Sequence, residues 1–106
     1  MAEVGEKRAI INMSTATTTS IITGVSGEYW QVIKAVFHSS GINQFTIKSN
    51  TTAICGPLDV VAQWRMIWAD EGGIPWLRAL ATGDDLKITT TQAVQLSGLL
   101  VYKSSP

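Results

Sequence analysis

The sequence predicts an all-β domain, a sandwich or barrel of about eight or nine short strands, and three observations carry that prediction. Turn-forming clusters recur at short, even intervals: SGE at 26–28, SSG at 39–41, SNTT at 49–52, GP at 56–57, DEGG at 70–73, TGDD at 82–85 and SSP at 104–106. The runs between them have about the 5–10 residues that strands usually occupy. Several of these runs alternate apolar and polar side chains, as half-buried strands do. Composition agrees: 45% of residues are hydrophobic and only 15% charged, which suits a β-rich protein that covers part of its surface with partners.

Taken in order, the strands are expected at 8–14, 17–23, 29–39, 44–49, 53–55, 61–68, 75–80 with 85–90, and 93–103. In YWQVIKAVFH, Tyr29, Ile33, Ala35 and Phe37 share one face, with Gln31 as an exception. Trp30, Val32, Lys34, Val36 and His38 share the other, which is also rich in apolar groups. One of these faces is core. NQFTIKSN sets Phe45 and Ile47 against Gln44, Thr46 and Lys48, and DLKITTT sets Leu86 and Ile88 against Lys87 and Thr89. In AVQLSGLLVYKS one face runs through Val94, Leu96, Gly98, Leu100 and Tyr102. A glycine in mid-strand commonly marks a bulge or a close backbone approach.

The segment VVAQWRMIWADEGG at 60–73 holds two of the four tryptophans. A helical stripe through Val60/Val61, Trp64 and Ile67/Trp68 competes with a strand whose faces are Ala62, Trp64, Met66, Trp68 and Val61, Gln63, Arg65, Ile67. The periodic part is shorter than the roughly 12 residues a marginal isolated helix needs. Trp, Val and Ile also favour strands, so a strand is expected. Its large apolar residues have two readings. Trp64, Trp68 and Trp76 can pack the core, or they can join Met66 in a subunit interface, where Trp, Met and Arg are enriched. Trp64, Met66, Trp68 and Trp76 are therefore candidate interface residues.

With 106 residues, the chain fits one domain, long enough to bury a core without disulfides or metal. A sandwich at 9–103 is expected behind a flexible arm at 1–8. Eight basic and eight acidic residues cancel, so no net positive field draws the protein to nucleic acid or to an anionic membrane. The single cysteine, Cys55, lies in the apolar stretch TAICGP and reads as a small buried hydrophobe. MAEVGEKRAI contains no apolar run of signal-peptide length, and no window reaches the roughly 18 apolar residues of a membrane helix. A soluble protein completed in the cytoplasm is the expectation.

Catalytic signals are sparse. His38 is the one histidine, with no second ligand in its motif for zinc and no nucleophile motif beside it. Asp70-Glu71 and Asp84-Asp85 offer oxygen ligands for an ion such as calcium, but they lack the alternating spacing of a calcium loop, and Asp and Gly are ordinary turn residues. No enzyme and no cofactor is expected.

Four stretches resemble a family of small jelly-roll proteins of tailed bacteriophages: Gly27 with Val32–Phe37, Phe45–Gly56, Thr82–Ile88 and Val94–Tyr102. They lie in SGEYWQVIKAVFHSSGINQFTIKSNTTAICGP and IPWLRALATGDDLKITTTQAVQLSGLLVYK, and the resemblance covers about residues 17–103. Its motifs are structural ones, turn glycines and apolar alternation. The resemblance implies a jelly-roll-like antiparallel β-sandwich of about eight strands. It further implies a homotrimeric capsid decoration, or cement, protein that binds the major capsid protein at the virion surface after assembly in the host cytoplasm. The arm residues Glu3, Glu6, Lys7 and Arg8 are then candidates for capsid contact. QWRMIW departs from the pattern, where a more polar or glycine-rich loop is expected. A second reading is a receptor- or glycan-binding module of a fibre or tail tip, with Trp64, Trp68 or Trp76 stacking on sugars.

Overall fold

The computed structural model describes residues 6–69 and 77–106. Eight strands form two four-stranded sheets: β1 (Glu6–Met13), β2 (Thr18–Ile22), β3 (Tyr29–Ser39), β4 (Asn43–Ser49), β5 (Thr52–Val60), β6 (Trp64–Ala69), β7 (Leu86–Thr90) and β8 (Leu96–Ser105). The first sheet has the order β1-β8-β3-β6 and the second β2-β7-β4-β5. Every pairing is antiparallel.

The order has a simple origin. β4 pairs with β5, β3 with β6, β2 with β7 and β1 with β8. The chain is thus one long hairpin, doubled back at the turn after Ser49 and rolled so that successive rungs fall into alternate sheets. This is the jelly-roll topology, and it bears out the expected fold class.

The inner faces meet in one apolar core. Phe37 of β3 lies 5.4 Å from Phe45 of β4, ring centre to ring centre, and Phe45 meets the edge of Trp64 of β6 at 5.8 Å. Ile11, Leu96 and Leu100 complete the buried face of the first sheet, and Ile47, Leu86 and Ile88 that of the second. Burying side chains of this size stabilises the fold by about 1.5–3 kcal/mol each.

β3 departs from strict alternation, and the reason is a bulge. Its register with β8 shifts between Val32 and Lys34. Trp30 and Val32 point inward before the shift, Ala35, Phe37 and Ser39 after it. The face expected to run through Tyr29, Ile33, Ala35 and Phe37 is therefore corrected: the extra residue at Ile33 moves Trp30 and Val32 into the core. The bulge also marks where β6 stops covering the β3 edge. Lys34 pairs with Ala69, and beyond it Val32 N donates to Leu77 O at 2.8 Å and Ala79 N to Trp30 O at 3.0 Å. Residues 77–79 continue the edge by a single bridge between Gln31 and Arg78; of the strand expected at 75–80, residues 75 and 76 lie outside the described residues.

The turn expected at Gly56-Pro57 lies inside β5. Gly56 has φ of 101° and Gly56-Pro57 is a cis peptide. The pairing of β4 with β5 is irregular beside it. β5 is an edge strand, where a proline without an N–H breaks no ladder bond. Gly98 of β8 fulfils the expected close approach, since a Cβ there would overlap the Val36 carbonyl of β3.

Candidate functional site: the outer face of the first sheet

β6 is the strand expected from QWRMIW, and it begins at Trp64 because Gln63 takes a left-handed φ of 62° and Trp64 N turns back to Val61 O at 3.1 Å. Trp64 and Met66 are half-buried and pack inward against the core. Arg65 and Ile67 point outward. The backbone of Trp68 pairs with Ala35, while its side chain, Trp76, Glu3, and the Asp70-Glu71 pair lie outside the described residues. Lys7 and Arg8 sit within β1, opposite Tyr102 and Val101, and the Glu6 backbone pairs with Lys103. The candidate contact residues from Glu6 onward thus belong to a paired strand.

Register on the first sheet brings together residues that sequence reading had left apart. Ile10 lies opposite Leu99, Leu99 opposite Val36, and Val36 opposite Ile67. All four project outward, so an apolar row crosses the whole sheet, about 14 Å from first strand to last at ordinary strand spacing. Ile67 is 82% exposed, Ile10 75% and Val36 43%. On one side the next row is Arg8, Val101, Lys34 and Ala69; on the other it is Asn12, Ser97, His38 and Arg65. Arg8, Lys34, Arg65 and Lys103 are exposed there, and no carboxylate projects from this face among the described side chains. The row consists of single residues on strands far apart in the chain, so only the pairing register reveals it.

The second sheet is different. Its outer face carries threonines, lysines and amides: Thr18, Thr89 and Thr46 fall in one row, Ser20, Lys87 and Lys48 in the next. Thr18 and Thr89 share a hydroxyl hydrogen bond of 2.7 Å, and Gln44 Nε2 donates to Asp59 Oδ1 at 2.9 Å. Among the described residues, no large exposed apolar side chain sits on its four strands. The two outer faces therefore differ in kind, and the first is the one with surface suited to burial.

The acidic pair Asp84-Asp85 fastens one end of the sandwich. Asp84 accepts from Ser49 Oγ at 2.7 Å and from Asn50 Nδ2 at 2.8 Å. Asp85 accepts from Gly24 N at 2.7 Å and from Ser20 Oγ at 2.9 Å. The Gly24 N–H holds the Asp85 carboxyl below the ordinary carboxylate range; the Ser20 hydroxyl and the Lys87 charge add to this, and partial burial opposes it. All four carboxylate oxygens meet protein donors, so the pair serves the turns. Among the described residues, no three of His, Cys, Asp and Glu gather as a metal site.

Little else offers chemistry. His38 Nε2 lies 3.2 Å from Gln63 Oε1, to which its N–H tautomer donates. An apolar cavity of about 250 Å³ lies between the sheets, lined by Phe37, Ile47, Ile54, Cys55, Leu58 and Met66 among others. Cys55 is half-buried, and desolvation pushes its thiol up, which keeps it protonated at neutral pH. No protein-family model and no curated protein matches the chain.

Proposed function

We propose that the protein is a structural component of a larger particle, acting through surfaces rather than catalysis: a trimeric capsid decoration protein of a tailed bacteriophage that binds and stiffens the assembled head. The observation that carries this reading is the row Ile10–Leu99–Val36–Ile67, which crosses all four strands of the sheet with Ile10, Val36 and Ile67 exposed and Leu99 half-buried between them. Monomeric soluble proteins seldom leave such a continuous apolar surface bare, and its ordinary use is association. The jelly-roll topology supports the reading as well, since it presents two broad sheet faces for contact and leaves only four edge strands. Many copies on a symmetric shell turn modest single contacts into firm retention.

The glycan-binding alternative needs exposed aromatic rings above converging polar groups. Of its three candidate tryptophans, Trp64 packs inward on Phe45, and the side chains of Trp68 and Trp76 lie outside the described residues. The deciding experiment adds purified protein to phage heads that lack a decoration protein. Saturable binding at regular shell positions, with a gain in heat resistance, is expected. Binding to host cells or to glycans without binding to heads overturns the proposal.

A further inference from the structure

Each sheet has two edge strands, β1 and β6 in the first and β2 and β5 in the second. An edge strand presents alternate N–H and C=O groups with no ladder partner, and folded proteins usually blunt it with a proline, a bulge, charges or an early stop. Three of the four edges here are blunted. β5 carries Gly56 at a φ of 101° and then Pro57, beside an irregular register with β4. β2 has five residues and a register shift between Ser20 and Ile22. β6 starts after the left-handed Gln63, and past Ala69 the same edge of β3 passes to the bridge at Arg78. β1 is the open one. Its eight residues lie opposite β8 from Lys103 to Leu96 without a shift, and it contains no proline or glycine. Its charges are confined to the start, Glu6 to Arg8, which leaves Ala9 to Met13 uncharged.

We infer that β1 pairs with β1 of a second copy, antiparallel about a two-fold axis beside Ile10, so that two first sheets join into one. In this register the strand is its own complement. Ile10 lies opposite Ile10, Ala9 opposite Ile11 and Arg8 opposite Asn12 of the second copy, so apolar groups meet at the centre and each guanidinium meets a neutral amide. Lys7 lays its stem along Met13 and keeps its ammonium in water. An axis beside Ala9 instead sets Arg8 against Ile10 and Lys7 against Ile11; an axis beside Arg8 sets guanidinium against guanidinium. Both are poorer matches. An isologous contact closes with two copies and leaves no open edge at the join. Ile10, 75% exposed in one copy, is then flanked on both sides, and the apolar row of one sheet runs on into its counterpart at twice the length. The join goes beyond the capsid reading and does not require it.

The register is tested in a chain whose single cysteine is replaced, Cys55→Ser. Directly opposite residues of an antiparallel pair have Cα atoms about 4.5–5.5 Å apart, within disulfide reach. Ile10→Cys in this background is expected to oxidise to a linked dimer. Arg8→Cys alone is expected to stay unlinked, because its two copies lie about 13 Å apart along the strands, while a mixture of Arg8→Cys with Asn12→Cys links again. Arg8→Cys that links as readily as Ile10→Cys overturns the contact. Without covalent links, light scattering is expected to give the wild type an even number of copies. Ile10→Lys, which sets two ammonium groups together at the axis, is expected to show half that mass and an unchanged circular dichroism spectrum. A wild-type mass equal to that of Ile10→Lys, or one that grows without limit, overturns the contact. So does Ile10→Cys that links to a head protein and never to itself, which gives the edge to a capsid strand. Linked dimers that ignore phage heads keep this contact and remove the capsid reading; heads decorated by chains that never link through Ile10→Cys do the reverse.

Discussion

The indole N–H of Trp30 donates to the main-chain carbonyl of Asp84 over 2.8 Å, joining the start of β3 to the loop that leads into β7. Trp30 is buried, so its polar atom needs this partner, and the carbonyl belongs to the residue whose side chain holds Ser49 and Asn50. One loop therefore anchors the loop after β2, the turn after β4 and the start of β3, and the first prediction concerns its charge.

Asp85→Asn is expected to lower stability at neutral pH by under about 1 kcal/mol, since the group is largely solvated and its attractions are screened. Its folded carboxyl sits below the ordinary range, with the Gly24 N–H as the main cause. The stabilisation is therefore present above the unfolded pKa and is lost as pH falls through the folded one. Thermal melts from pH 7 down to about pH 2 check this: the gap between wild type and variant should close at the acid end. A gap that widens on acidification refutes the assignment.

Gly98→Ala places a methyl group against the Val36 carbonyl on the neighbouring strand. β8 is central in its sheet, between β1 and β3, and has little room to move aside. A loss of about 1–3 kcal/mol is expected, read as a lower urea midpoint with an unchanged slope.

Asn43→Ala removes an acceptor that serves two main-chain donors, Gln44 N at 2.8 Å and Gln92 N at 3.2 Å. The Asn43 Nδ2 is buried without a partner, so the native side chain already carries one unmet group. The two stranded N–H groups are expected to cost about 1–3 kcal/mol. Stability equal to wild type in chemical denaturation shows that water replaces the lost acceptor.

Met66 and Ile67 are neighbours with opposite fates. Met66→Ala empties space beside the apolar cavity and is expected to cost about 1–3 kcal/mol, the lower part of the range for buried methionines because the side chain is only half-buried. Ile67→Ser, on the exposed face, is expected to change monomer stability by no more than about 0.5 kcal/mol while weakening association. Unfolding at high dilution and light scattering at high concentration separate the two effects.

Cys55 is expected to react with a soluble disulfide reagent at pH 7 more slowly than a free thiol, because burial suppresses the thiolate and restricts access. Release of this protection in urea, at the same midpoint as unfolding, is the accompanying result.

Much of the fold was legible because most strands keep one face buried throughout. Phe45 and Ile47 of β4, Leu86 and Ile88 of β7, and Leu96 and Leu100 of β8 all point inward as the alternation predicts. The reading failed where geometry is set by tertiary pairing. Gln31 looked like a polar error on a core face; it was the trace of the bulge at Ile33, which alternation alone cannot place. Gly56-Pro57 looked like a turn because these residues usually make one, whereas on an edge strand they are accommodated as an irregularity. The apolar row was hidden for a related reason: Ile10, Val36, Ile67 and Leu99 become neighbours only through register between distant strands. Within QWRMIW the alternation held: Met66 packs inward against the core and Arg65 points outward, on the opposite faces expected of a strand.

The nested pairing also fixes an order of events during synthesis. Ser49 finds Thr52 almost at once, but Glu6 waits for Lys103, so the strands made first are the last to be matched. While translation proceeds, β1 and β2 trail from the ribosome with bare main-chain edges and an uncovered greasy side. Successful maturation of this chain depends on keeping those early segments apart from their counterparts on adjacent nascent chains until the final strand emerges.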